Sequence, residues 1–177
     1  MHSPERIRLR QAERLYRLIW LRRDGWKISL PQYLSLVPPL APAAGDASVF
    51  SWPVLVDRTI PLGEACAKFD VSVRSPRVRF VDRSVRTHPL LYWIWCNNGF
   101  NRLGITPLEC MDAFESNERG MNATEGVAYH AQYPAITRTR FIDLPESVLA
   151  RRPSAIACIG IGRRRLRRSL FRSFVPE

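Results

Sequence analysis

The sequence predicts an α+β protein, with a single small antiparallel or mixed sheet covered by short helices and an amphipathic helix at the N-terminus. Three observations carry this. Helix-start signals recur at Ser3, Thr106 and Asn122, each a hydroxyl or amide residue with a glutamate in the first turn that follows. Between them stand apolar, β-branched and aromatic runs of strand length, at 50–57, 77–82 and 89–96. A chain of 177 residues with 46% apolar content can bury one sizeable core, and no internal repeat divides it.

Ser3-Pro4-Glu5 opens the first helix with a cap, a proline at the first helical position and a carboxylate near the positive helix end. Ile7, Ala12, Leu15, Leu18 and Ile19 share one face of it, while Arg6, Arg10, Glu13, Arg14 and Arg17 gather on the other. The pattern is expected to run to about Gly25. SLPQYLSL (29–36) begins a second short helix that stops at Pro38-Pro39, and VPPLAPAAGDAS (37–48) is a proline- and alanine-rich connector. FSWPVLVD (50–57) and RVRFVD (77–82) read as strands.

PLLYWIWC (89–96) reads as the central strand, buried on both faces, with Asn97-Asn98-Gly99 turning it into a hairpin with FNRLGI. Its aromatic cluster, Tyr92, Trp93 and Trp95, invites base stacking, but core packing is the better reading of a continuous apolar run. TPLECMDAFESNERG (106–120) is one expected helix closed by Gly120. NATEGVAYHAQYP (122–134) is another, stopped by Pro134.

Charge divides the chain into three parts. Residues 1–23 hold seven arginines and two acids, and residues 151–177 hold eight arginines and one acid. The stretch between them is close to neutral, so almost all of the net charge of +11 is terminal. The expected organisation is a basic amphipathic helix over 1–25, an α+β domain over 26–150 on which that helix packs, and an Arg-rich tail over 151–177. The tail is densest in GRRRLRRSLFRSF (162–174), where Arg163, Arg164, Arg165, Arg167, Arg168 and Arg172 are the candidate polyanion-binding residues. Guanidinium suits phosphate because it presents a planar fork of donors. An arginine-dense ending also arises when GC-rich DNA is read out of frame, which the abrupt change after Ala150 keeps in view.

Other chemistries find little footing. The four cysteines (Cys66, Cys96, Cys110, Cys158) form no CxxC pair and the three histidines (His2, His88, His130) no metal-binding spacing, so no metal or cofactor is expected. An enzyme would have to use Cys96 as nucleophile with His88 or His130 as base and Glu109 or Glu125 in support. Nothing in their spacing makes these residues meet, and the expectation leans away from catalysis. The apolar runs are too short for a membrane span. Arg17 interrupts the start before a secretory core is reached, and Glu5 and Glu13 disfavour a mitochondrial presequence, so a cytoplasmic location is expected.

At its two inner helix starts the chain resembles an uncharacterised bacterial domain-of-unknown-function family. That family pairs a TP-x-E start with a second start of the N/T-x-x-EG type, before a helix that ends at proline. The matching residues are Thr106, Pro107 and Glu109, then Glu125, Gly126 and Pro134. The resemblance covers about residues 6–150; it departs at Asn122, where the family more often has threonine, and at the Arg-rich ending, where a Gly- and Trp-containing third is expected. The motif residues are helix caps and stops, so the resemblance implies a fold and brings no catalytic residue. The function expected from the charge is weak, sequence-independent binding of DNA or RNA through the Arg-rich termini. The alternative is a non-catalytic scaffold whose basic ends stay solvated or meet an acidic protein.

Overall fold

The computed structural model describes residues 3–21, 28–43, 50–71, 80–82, 89–97, 105–116, 118–137, 139, 142–149, 152–159 and 171–174. It is an α+β protein whose described strands are all paired antiparallel. They fall into two sheets where the sequence suggested one: a pair, β1 (Trp52–Asp57) with β3 (Leu91–Cys96), and a four-stranded sheet in the order β2 (Phe80–Asp82), β4 (Ile142–Leu149), β5 (Arg152–Ile159), β6 (Phe171–Phe174).

Helix α1 (Pro4–Ile19) begins as its cap predicts, with Ser3 Oγ accepting the Arg6 N–H at 3.3 Å. It ends at Ile19 rather than near Gly25, closing in a turn through Trp20 and Leu21; residues 22–27 lie outside the described residues. Helix α2 (Leu30–Leu36) carries a reciprocal cap between Ser29 and Gln32. It stops because Val37 precedes Pro38, whose ring drives the residue before it out of the helical region; Val37 is extended, at φ −75 and ψ 118. Arg8 ties the two helices together, donating from Nη2 to Leu34 O at 2.7 Å and to Val37 O at 3.0 Å.

Among the described residues β3 pairs with β1, with Trp52 opposite Cys96 and Asp57 opposite Leu91. The expected hairpin turn and its partner FNRLGI fall on residues 98–104, which lie outside the described residues. Nor is it buried on both faces, since Trp93, Ile94 and Trp95 are half-buried. Strand β1 is buried on both faces: Leu55 belongs to one apolar cluster with Leu15, Tyr33 and Leu144, while Val54 and Val56 belong to another with Tyr92, Cys96 and Tyr129.

Helix α3 (Leu62–Lys68) follows β1 and has no side-chain cap. Helix α4 (Pro107–Asp112) starts on the Thr106–Glu109 reciprocal cap but covers only the first part of the expected 106–120 helix. After Asp112 the chain turns through i→i+3 bonds, Phe114 N–H to Met111 O and Glu118 N–H to Glu115 O, and the Glu118 carboxylate takes the Glu115 N–H at 3.2 Å, so the helical ladder is not continued. Helix α5 (Ala123–Gln132) is buried at every position but Thr124 and contacts β1 of one sheet and β4 and β5 of the other, so it joins the two sheets. The short α6 (Pro134–Thr137) follows at once.

The stretch set apart by composition as a tail, 151–177, contributes β5 and β6, with β5 paired along β4 and β6 along β5. The β4–β5 register shifts between Leu144 and Val148, where Pro145 has no N–H to give the ladder. There β4 turns to the α4–α5 link: Glu146 N–H donates to Met121 O at 3.3 Å, and a Cβ on Gly120 would lie 2.8 Å from Pro145 Cβ. Gly120 is thus the place where strand and link touch without a side chain between them.

Candidate functional site

Among the described residues, two places gather chemically capable side chains: the exposed face of α1 and the N-terminal end of α5. On α1, burial of Ala12, Leu15 and Ile19 fixes the rotation of the helix. The opposite face then presents Arg6, Arg10, Arg14 and Arg17, all exposed, within an arc of about 80° and along about 16 Å of axis. Arg17 approaches Glu13 at 3.6 Å, an exposed pair that contributes little. Arg8, the fifth arginine of the helix, is committed to α2 and to Glu5.

At the start of α5, Asn122 Oδ1 accepts the Glu125 N–H at 2.9 Å and the Glu125 carboxylate returns to the Asn122 N–H at 3.0 Å. Ser147 of β4 caps the same helix end, accepting the Ala123 N–H at 2.8 Å. Glu125 is wholly buried. Arg119 clamps it with two bonds, Nη1 to Oε2 at 2.7 Å and Nη2 to Oε1 at 2.5 Å, and the Tyr92 hydroxyl donates to Oε1 at 3.1 Å. Four donors therefore fill the acceptor positions of one carboxylate. Burial, and then the Glu125 charge, push the Tyr92 hydroxyl well above the usual tyrosine range, so it remains a donor at neutral pH. The Glu125 pairing in turn holds the Arg119 guanidinium firmly protonated.

Cys96 is buried beside this cluster with its Sγ 3.7 Å from Met121 Sδ. Burial, and then the Glu125 charge, raise its thiol far above the ordinary range, which disfavours the thiolate a nucleophile requires. His130 is buried elsewhere on α5, its Nδ1 2.6 Å from Thr137 Oγ1. Glu109 lies exposed at the α4 cap, bound to Thr106 N–H. Of the residues an enzyme would draw on, the structure thus brings Glu125 near Cys96 and leaves Glu109 and His130 in separate settings. His88 lies outside the described residues.

Arg163, Arg164, Arg165, Arg167 and Arg168 also lie outside the described residues; Arg172 stands in β6, opposite Cys158 of β5. Among the described residues no group of three or more His, Cys, Asp or Glu side chains is placed to hold a metal ion, and no helix is long and apolar enough to cross a membrane. Sequence reasoning missed Arg119, whose role depends on α4 ending early, and Gln11, a polar residue in the middle of the apolar face of α1. The second had a signal: Gln11 stands four residues after Ile7 and four before Leu15. Comparison with family models, curated proteins and solved structures finds no match to this chain.

Proposed function

We propose that this chain binds nucleic acid or a similar polyanion electrostatically and without sequence preference, using the exposed arginines of α1 together with Arg163, Arg164, Arg165, Arg167, Arg168 and Arg172. The observation that carries the reading is the disposition of α1. Its opposite face is locked into the core, so Arg6, Arg10, Arg14 and Arg17 stay on one exposed surface. Such contacts position a phosphate backbone and read no bases. A non-catalytic role is supported by the saturated Glu125 carboxylate and the suppressed Cys96 thiol. The same reading places the protein in the cytoplasm, where thiols such as Cys66, Cys96 and Cys110 stay reduced.

A titration of duplex DNA over about 50–200 mM salt tests the proposal, since each phosphate neutralised adds roughly −0.9 to the slope of log affinity against log salt. Four to six arginines from 162–174 give about −4 to −5, and the α1 face steepens this further. Because β6 belongs to a sheet, the arginines of 163–172 are best neutralised in place by glutamine instead of being removed by truncation. Absence of salt-dependent binding in the intact chain at the low-salt end overturns the reading.

A further inference from the structure

The half-buried tryptophans of β3 do more than cover the core. Trp93 Nε1 donates to Pro38 O at 2.9 Å, and Trp95 Nε1 donates to Ala41 O at 3.1 Å. The two indoles stand two residues apart, on one face of a strand. The two carbonyls stand three residues apart, in a segment, Pro38-Pro39-Leu40-Ala41-Pro42, that is neither helix nor strand. Prolines at 38, 39 and 42 fix φ near −65°, and each disfavours the helical region for the residue before it. Such a chain favours the left-handed polyproline II path, which has three residues per turn, about 3.1 Å of rise per residue and no internal hydrogen bonds.

Carbonyls at i and i+3 of that path point the same way, about 9 Å apart and unsatisfied by their own backbone. Strand positions i and i+2 lie about 7 Å apart on one face, and an indole length suffices to splay two N–H groups to the wider spacing. Indole is a donor only, and its flat body lies well against a pyrrolidine ring. Two tryptophans in this arrangement match the repeat of a polyproline helix rather than a particular side-chain order.

We propose that the Trp93/Trp95 face of β3 is a docking site for a proline-rich segment of a partner protein, occupied in cis by the chain's own residues 38–42. What identifies the partner's chemistry is the occupant already seated there, a five-residue stretch with three prolines. What makes the site exchangeable is how lightly the occupant is held at its far end. Pro39, Ala41 and Pro42 are exposed, and the Trp95–Ala41 bond lies at an exposed position. Each of the two indole bonds contributes only about 1 kcal/mol and half-buried Leu40 about as much again, so detachment of 38–42 costs less than unfolding. Buried Val37, just before the segment, stays as the hinge.

The test uses a capped synthetic peptide, VPPLAPA, and the full chain. A tethered occupant competes at an effective concentration of order mM, so the intact protein needs several mM peptide, roughly 5 mM, to show displacement. At that concentration the backbone amide resonances of Leu40 and Ala41, released from the face as the peptide takes their place, are expected to move to solvated-chain positions. In a Pro39→Gly/Pro42→Gly chain, whose own segment no longer prefers the extended path, affinity should rise at least about tenfold. Trp95→Phe in that background keeps a ring but removes the donor, and should weaken binding about fivefold. If the loosened chain fails to fold, the Leu40 and Ala41 resonances of the intact chain alone decide. Unmoved Leu40 and Ala41 resonances in the intact chain overturn the proposal. So does a folded, loosened chain that ignores the peptide, or one that self-associates and is not competed by it, which would assign the site to a second copy.

Discussion

The side-chain amide of Gln11 takes the place of a strand beside Leu55: its Oε1 accepts the Leu55 N–H at 2.9 Å and its Nε2 donates to Pro53 O at 2.6 Å. In β1 the even positions face β3, as the continuation of the ladder from Arg58 N–H to Leu90 O shows, so the odd positions point their backbone groups the other way. That side is where α1 lies. A free strand edge facing a helix would leave buried amides unpaired, and one glutamine in the apolar face of the helix satisfies two of them. The Tyr133 hydroxyl joins the group, donating to Pro53 O at 2.7 Å and accepting from Gln11 Nε2 at 3.0 Å.

Replacing Gln11 by Leu keeps the size and removes all three side-chain bonds. Pro53 O retains Tyr133, but the Leu55 N–H is left buried without an acceptor, so a loss of about 2–3 kcal/mol is expected. Denaturant unfolding reads it, and hydrogen exchange at the Leu55 amide, slow in the parent, should speed up with it. A loss below about 0.5 kcal/mol would mean that the edge finds another partner.

Gly126 tests the contact of α5 with β4. A Cβ there would lie 2.5 Å from Leu144 Cδ2 and 2.8 Å from Cδ1, and Leu144 is fully buried, so its δ carbons would have to shift within the packed core. Overpacking of this kind costs about 1–3 kcal/mol, against which alanine regains about 1 kcal/mol of helix propensity. Gly126→Ala should therefore destabilise by about 1–2 kcal/mol, and Leu144→Val, which removes both δ carbons, should cost less in that background than in the parent. Additive effects in the double-mutant cycle would show that the helix shifts to accommodate the methyl.

These two residues show where the sequence is readable and where it is not. Helix starts were legible at Ser3, Ser29, Thr106 and Asn122 because a cap, and at the last three its reciprocal partner, is local in sequence. Helix α3 starts at Pro61 without a side-chain cap and left no such sign. The ends of α1 and α4 were overestimated; after α4, bonds such as Glu118 to Glu115 N–H compete with the helix without breaking its periodicity. Strand β4 was hidden by Pro145 in its middle, and β5 by its position after the compositional break at Ala150. Pairing of β1 with β3 joins strands more than thirty residues apart, and no local signal specifies such a partner. At the candidate sites, the arginines of α1 were legible from helical periodicity. The Arg119–Glu125–Tyr92 cluster was not, since it needs the turn after α4 and the strand β3 at once.

Acid should loosen α4 through Glu109. Its carboxylate accepts the Thr106 N–H at 2.7 Å, and that backbone bond holds it below the usual glutamate value of 4.5. The bound form is the charged one. Its contribution is complete above that value and is lost as pH falls through the lower, folded-state pKa. Amide exchange and chemical shifts at the start of α4, followed from pH 6 down to pH 2, should report fraying on the acid side alone. Glu109→Gln keeps an acceptor oxygen without a titration and should flatten the change. Glu109 titrating at or above the ordinary glutamate value would place it off the cap.

The arginines of α1 separate binding from folding within a single helix. Arg6, Arg10, Arg14 and Arg17 are exposed, and glutamine has nearly the helix propensity of arginine, so changing all four to Gln should leave thermal stability close to the parent. If they contact phosphate, the slope of log affinity against log salt on duplex DNA should become shallower by up to about 3.6. Arg8 predicts the reverse. Only 18% of its side chain is exposed, and it supplies the bonds to Leu34 O and Val37 O that hold α2 on α1. Arg8→Gln should therefore cost about 1–3 kcal/mol and leave the slope of the folded protein unchanged. Thermal melts and salt titrations on the two variants give a crossed pattern when the exposed face is the phosphate contact. A fourfold variant that binds with the parent's slope removes α1 from the interface and leaves any remaining affinity to the arginines of 163–172.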